Sequence, residues 1–294
     1  MSLQLKGTGV ALVTPFNENG NIDFSALEKL VNHCISGKLE YLVVLGTTGE
    51  SATLTKEEKI KIYAFVKEIN NGRVPLVYGL GGNNTAELKE EMKKADFSGY
   101  SAILSVSPYY NKPTQEGIYQ HYKVLDAVSP LPIILYNVPG RTMSNMLPET
   151  TLRIAKDCKN VIGIKEASGS LEQIMKIIKD KPEGFLVISG DDGITLPIMA
   201  SGGDGVISVV ANSHPLIFSN MVRACLNNDY PTAQKLHYQL NDFIAMLFAE
   251  GNPAGVKVAL KHLNVMEEFV RLPLIKASEN LSKRIAEAIS KIEA

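Results

Sequence analysis

Chemistry is most legible in this sequence where short apolar runs end in polar side chains. The run Val161-Ile-Gly-Ile ends in Lys165-Glu-Ala-Ser. Alternate side chains of a strand share a face, so if Gly163 points into an interior, Lys165 does too. Burial there disfavours an ammonium and supplies the neutral amine that attacks a carbonyl carbon. The spacing is equally compatible with a plainer role, in which Lys165 pairs with Glu166 or snorkels to a rim.

Other run ends offer partners for such an amine. Leu135-Tyr136-Asn137-Val138-Pro139-Gly140-Arg141-Thr142 carries a phenol and a guanidinium. Tyr136 can exchange the protons that carbinolamine formation and dehydration require, or close a core with its hydroxyl at the edge. Arg141 offers a fork for a carboxylate, or a solvated surface charge. In Gly46-Thr47-Thr48-Gly49-Glu50-Ser51, two hydroxyls between glycines leave amides open to an anion, unless this is an ordinary turn. Ser107-Pro108-Tyr109-Tyr110-Asn111-Lys112-Pro113 is a rigid aromatic loop whose tyrosines serve a site, an interface or simple loop packing.

Ser189-Gly190-Asp191-Asp192 and the stretch Ser201–Ser208, which contains Ile207, are glycine-bearing loops of the kind that bind phosphate in many barrels. A phosphorylated substrate or pyridoxal phosphate therefore competes as a reading. It is discounted because Thr47, Thr48 and Arg141 already supply carboxylate binding. Asp191 and Asp192 read as helix caps, since a metal site would need further ligands that the sequence does not place nearby.

These residues need elements to position them. Eight apolar runs alternate with amphipathic stretches: 9–13, 41–45, 76–79, 102–106, 133–136, 161–164, 186–189 and 205–209. Their near-continuous Val, Ile and Leu content means strands covered on both faces, and the alternation means parallel strands with crossover helices. Helix starts are signalled by Asp23, by Thr55 with Glu57 and Glu58, and by Thr85. Eight such units predict an α/β fold, a (β/α)8 TIM barrel, with an open doubly wound sheet as the alternative. From about Tyr230 only helical periodicity remains, over 230–249, 254–263 and 279–292. The expected organisation is a catalytic barrel over 1–229 and a C-terminal helical extension over 230–294. Barrel active sites sit at the C-terminal ends of the strands, where the residues above lie.

Composition narrows the partners. With 30 Lys and Arg against 31 Asp and Glu, no field of one sign exists to attract nucleic acid or an anionic membrane. No segment approaches the roughly 18 apolar residues of a membrane helix, and the N-terminal apolar run is broken too soon by Thr14-Pro15 to be a signal segment. Cys34, Cys158 and Cys225 are odd in number and far apart, which predicts free buried thiols and a cytoplasmic address.

Taken in order, GTTGES (46–51), SPYYNKPTQEG (107–117), YNVPGRT (136–142), GIKEASG (163–169), SGDD (189–192) and GVISVVAN (205–212) resemble the dihydrodipicolinate synthase family across the whole barrel. The resemblance implies a lyase that condenses pyruvate with L-aspartate 4-semialdehyde, on the diaminopimelate route to lysine, with neither cofactor nor metal. It implies that Lys165 forms the Schiff base, and that Tyr136, Thr47 and Tyr110 form a proton relay, Tyr110 reaching in from a neighbouring subunit. Thr48 then contacts the pyruvate carboxylate and Arg141 the aldehyde's carboxylate, while the backbones of Gly190 and Ile207 line the site. The implied assembly is a homotetramer, a dimer of dimers. N-acetylneuraminate lyase and other pyruvate-dependent sugar-acid aldolases share the lysine and tyrosine; Thr47 and Arg141 in YNVPxRT favour the synthase. Ser51, Ala52, Asn83, Glu87 and Tyr109 resemble the pocket where L-lysine inhibits many members. Lys56 and Lys59 depart from that pattern, and their positive charge opposes binding of a cationic side chain.

Overall fold

The computed structural model describes residues 5–292, so residues 1–4 of the expected barrel and 293–294 of the expected extension lie outside the described residues. Eight parallel strands run β1 (Gly7–Ala11), β2 (Tyr41–Val44), β3 (Leu76–Gly79), β4 (Ala102–Val106), β5 (Ile133–Asn137), β6 (Val161–Glu166), β7 (Leu186–Ser189) and β8 (Gly205–Ser208). Each pairs with the next, and β1 also pairs with β8 in the register Gly9↔Ile207 and Val10↔Ser208. That last pairing closes the barrel and rules out the open sheet. The first strand begins two residues earlier than its apolar run suggested, because Gly7 and Thr8 complete the ladder to Gly205 and Val206.

The helices are α1 (Phe24–Ser36), α2 (Lys56–Asn70), α3 (Thr85–Lys94), α4 (Gln115–Asp126), the single turn α5 (Pro139–Thr142), α6 (Pro148–Asp157), α7 (Leu171–Asp180), α8 (Thr195–Ala200), α9 (Pro215–Leu226), α10 (Tyr230–Phe248), α11 (Ala254–His262) and α12 (Glu279–Ile292). Asp23 caps α1 through the Ala26 amide, and Thr55 and Glu58 form a reciprocal capping box on α2. The cap of α3 is Asn84 and not Thr85, whose hydroxyl instead lies 2.8 Å from His121 Nδ1 on α4.

Strand parity sorts the apolar side chains into two shells. Tyr41, Val43, Val77, Leu104, Ile134, Ile188 and Ile207 fill the barrel, while the alternate positions pack outward against the helices. Burying each such side chain contributes about 1.5–3 kcal/mol. Gly9 makes room for the largest of the inner set: a Cβ there would stand 2.1 Å from the Tyr41 ring. The C-terminal helices continue the outer shell, with Leu240, Phe243, Leu247, Leu260, Leu281 and Ile285 all buried in it. No described helix is long and apolar enough to cross a membrane. Cys34, Cys158 and Cys225 are buried and free, and burial pushes the Cys158 and Cys225 thiols up to about 11.

Candidate active site

β5 and β6 meet in register at Tyr136↔Lys165 and Asn137↔Glu166. Alternation therefore sends Tyr136 and Lys165 into the barrel and Asn137 and Glu166 to its outer face. Lys165 is only 5% exposed, with its Nζ 4.4 Å from the centre of the Tyr136 ring. Lys165 does not pair with Glu166, whose carboxylate is taken up by the Asn137 and Gln173 amides and the Ser168 N–H. Among the described residues no carboxylate neutralises this amine. The plainer reading of Lys165, as one half of a rim ion pair, is thereby removed.

Gly190, after β7, clears the space along that side chain. A Cβ on it would stand 3.1 Å from Lys165 Cε and 2.7 Å from the Ala167 Cβ. Its N–H donates to the Glu166 carbonyl at 2.8 Å, which continues the β6–β7 ladder past the strand ends. Ile207 is buried inside the barrel on β8, beside Gly9. The exit of β8 is pinned twice. Asn212 accepts from the Val13 amide and donates to the Ala11 carbonyl, and Asp192 accepts from the Val209 and Val210 amides. Burial pushes the Asp192 carboxyl up to about 6, against the lowering effect of those amides.

The loop after β2 places its two threonines differently. Thr47 is exposed and Thr48 is buried, both on a single 3-10 turn, Thr47–Gly49. Thr48 Oγ accepts from Asn252 Nδ2 at 2.9 Å, which leaves the threonine hydroxyl its own proton to donate. Two residues on, Glu50 adopts a left-handed conformation (φ 52°) and is buried with Lys257 of α11, their side chains 1% and 0% exposed and 2.5 Å apart. Lys257 also donates to the Phe269 carbonyl, and Glu50 accepts from the Arg271 amide. Desolvation pulls the Lys257 amine down to about 8 although Glu50 supports its charge. Arg271 completes the tie with two bonds to the Glu58 carboxylate. Asn252, Lys257 and Arg271 were missed by sequence reasoning. Their partners lie more than 200 residues earlier in the chain, so no local pattern marks them.

Arg141 is exposed on α5 at the mouth. Tyr110, also in a left-handed conformation, is 87% exposed, and its amide donates to the Thr142 carbonyl. Two links are seen among the residues resembling an inhibitor pocket and their flank. Asn83 accepts from the Tyr109 amide at 2.8 Å, and Ser51 and Ala52 share a turn that follows Glu50. Glu87 is held by Lys56 at 3.3 Å, both of them exposed. Lys56 thus adds charge and also pairs with one of the residues of the resembling set.

The sequence model of the Dihydrodipicolinate synthetase family matches residues 4–292. The chain belongs to this family. It is 59% identical over 279 residues to the 4-hydroxy-tetrahydrodipicolinate synthase of Flavobacterium psychrophilum, covering 95% of either chain. The crystal structure of dihydrodipicolinate synthase from Aquifex aeolicus is similar with a TM-score of 0.94 at 39% identity, over 98% of each chain. A monomeric dihydrodipicolinate synthase variant is similar at 0.95 and 40% identity, over 98% of this chain and 97% of that one.

Proposed function

We propose that this chain catalyses the 4-hydroxy-tetrahydrodipicolinate synthase reaction, condensing pyruvate with L-aspartate 4-semialdehyde through a Schiff base on Lys165. The observation that carries the assignment of the nucleophile is the buried Lys165 amine, facing Tyr136 and, among the described residues, free of any carboxylate partner. The amine adds to the pyruvate carbonyl carbon. The carbinolamine then loses water to give an iminium, and loss of a methyl proton turns this into an enamine. The enamine carbon bonds to the aldehyde carbon of the semialdehyde, whose oxygen takes a proton. The semialdehyde's own amino group then displaces Lys165 by transimination, closing the ring and freeing the enzyme.

In this reading Tyr136 carries protons at the carbinolamine, in relay with Thr47 and with Tyr110 of a neighbouring subunit. Thr48 donates to the pyruvate carboxylate, Arg141 grips the carboxylate of the aldehyde, and the backbones of Gly190 and Ile207 line the pocket. Assembly as a homotetramer of paired dimers belongs to the same reading; exposed Tyr110 and Met143, joined through the Thr142 backbone, support a contact at the mouth. The three free thiols fit a cytoplasmic address, and the C-terminal helical domain, described from 230 to 292, braces the Thr47–Thr48 loop through Asn252 and Lys257.

Borohydride reduction in the presence of pyruvate, followed by mass spectrometry, is expected to leave a pyruvyl adduct on the peptide containing Lys165. Lys165→Ala is expected to form no adduct and to lose turnover in an assay with both substrates. An adduct on another lysine, or faster turnover of N-acetylneuraminate than of the semialdehyde, would overturn the assignment.

A further inference from the structure

Glu166 is 0% exposed, and every group that contacts its carboxylate is a donor. Asn137 Nδ2 stands 3.1 Å from both oxygens, the Ser168 amide is 2.8 Å from Oε1, and Gln173 Nε2 is 3.0 Å from Oε2. Such a set suits an acceptor-only, ionised carboxylate, since a proton on either oxygen would face a donor. Asn137 cannot turn to relieve this, because its Oδ1 accepts from the Met146 amide at 2.9 Å. Among the described residues no cation lies within ion-pair distance of Glu166. A buried carboxylate without a cation is costly, and sites that keep one are candidates for a working role.

The surroundings narrow that role. The titratable groups at this level of the barrel wall are Tyr136 from β5 and Lys165 from β6 itself; β7 contributes Ile188 and Ser189 to the same rungs. From the helices packed outside, α7 presents Gln173, and every charged side chain of α6 and α7 is exposed. Glu149 and Lys176 pair with each other there, and Arg153 pairs with Glu116. The positive charge nearest to Glu166 along the chain is therefore the one that Lys165 carries, as ammonium or as iminium.

We propose that Glu166 is a positioning residue for the Schiff-base lysine: its anchored carboxylate locks the β5–β6 rung that holds Tyr136 against Lys165, and its charge supports the cation formed on Lys165. The proposal rests on the Schiff-base reading above. Burial pushes the Glu166 carboxyl above the usual range, opposed by the donors around it, so the anchoring bonds and the charge depend on one another. The device acts from behind the sheet. It leaves the inner face of the site free for substrate, where a carboxylate placed directly on the amine would quench it.

Two variants separate charge from position. Glu166→Gln removes the charge. It is expected to lower kcat by about tenfold or more and to move the acid limb of kcat/KM for pyruvate down by about one pH unit, the effect of a charge roughly 10 Å away at an effective dielectric constant near 20. Glu166→Asp keeps the charge but withdraws it from its donors, so kcat is expected to fall while the acid limb stays within a few tenths of a unit. A Gln variant with the wild-type limb and kcat would overturn the proposal, as would an Asp variant whose limb shifts as far as the Gln variant's. If the Gln variant fails to fold, the Asp variant decides: wild-type kcat refutes positioning. Borohydride trapping of the wild-type enzyme in the same series keeps the two readings apart. No adduct in the wild type sinks the Schiff-base assignment itself, whereas a wild-type adduct with indifferent variants sinks only the role of Glu166.

Discussion

Glu50 and Glu166 are both buried carboxylates at the catalytic ends of strands, yet the chain satisfies them in opposite ways. Glu50 meets the Lys257 ammonium and the Arg271 amide, supplied by the C-terminal extension. Glu166 meets only neutral donors on the barrel and its own helices. A closed ion pair in low dielectric is a tie: its charges are spent on each other and it binds two parts of the fold. A carboxylate held by amide dipoles keeps its charge available to a neighbour. The first device braces the loop that carries Thr48, and the second sits behind the strand that carries Lys165.

Breaking the tie should have the largest effect. Lys257→Met leaves Glu50 buried without its ion-pair partner, a change that typically costs about 3–5 kcal/mol. Thermal unfolding should show a fall in Tm of about 10 °C, by the usual scaling for a chain of this size. The pyruvate KM should rise with it, because Glu50 lies on the same loop as Thr48. Lys257→Met combined with Glu50→Gln should recover much of the lost stability. A single variant with wild-type Tm would show that the pair is not a tie.

Asp192 extends the Glu166 side of the comparison, for it too is buried and accepts backbone amides, and among the described residues it meets no cation and its Oδ1 has no hydrogen-bond partner. Its carboxyl is raised to about 6 from an ordinary value of 3.8. The folded state therefore holds a proton that the unfolded chain releases between those values. Stability from this group is fully present below about pH 4 and is lost as pH rises through 6. Asp192→Asn keeps an acceptor for the two amides and removes the titration. Relative to wild type it should gain about 2–3 kcal/mol of stability between pH 4 and pH 7. Denaturant unfolding of both proteins at the two pH values measures this, and parallel pH dependences would contradict it.

Lys56 and Glu87 form the exposed counterpart of the Lys257–Glu50 pair, and the smallest effect belongs here. Exposed pairs contribute about 0–1 kcal/mol, so Lys56→Ala should leave Tm within a degree or two. With Glu87 already paired, added L-lysine should leave the rate of the wild-type enzyme in a coupled assay nearly unchanged. Concentration-dependent inhibition by L-lysine would show that the ligand outcompetes Lys56.

The eight strands and the helix starts were legible because each is written in a short window, by runs of branched apolar residues and by capping side chains. The boundaries that moved did so for tertiary reasons. Gly7 and Thr8 joined β1 through β8, and Thr85 yielded its cap to Asn84 while facing His121. Parity along β6 tied Lys165 to Gly163 and the order of the strands put Tyr136 next door, but the sequence left the inward direction conditional and the structure supplied it.

What the sequence determined by itself was therefore the eight βα units, the run ends that offer chemistry and the family motifs that link them, while closure of the barrel waited on the pairing of β1 with β8. What only the tertiary structure decided was the state of the charges there. Lys165 stands clear of Glu166, Glu50 is neutralised by Lys257 from 207 residues away, and Asn252 orients Thr48 across 204. Strand and helix periodicities are local and repeat along the chain, so they can be read in order. An ion pair that closes a loop of two hundred residues depends on packing that brings its ends together, and it leaves no periodic trace at either end.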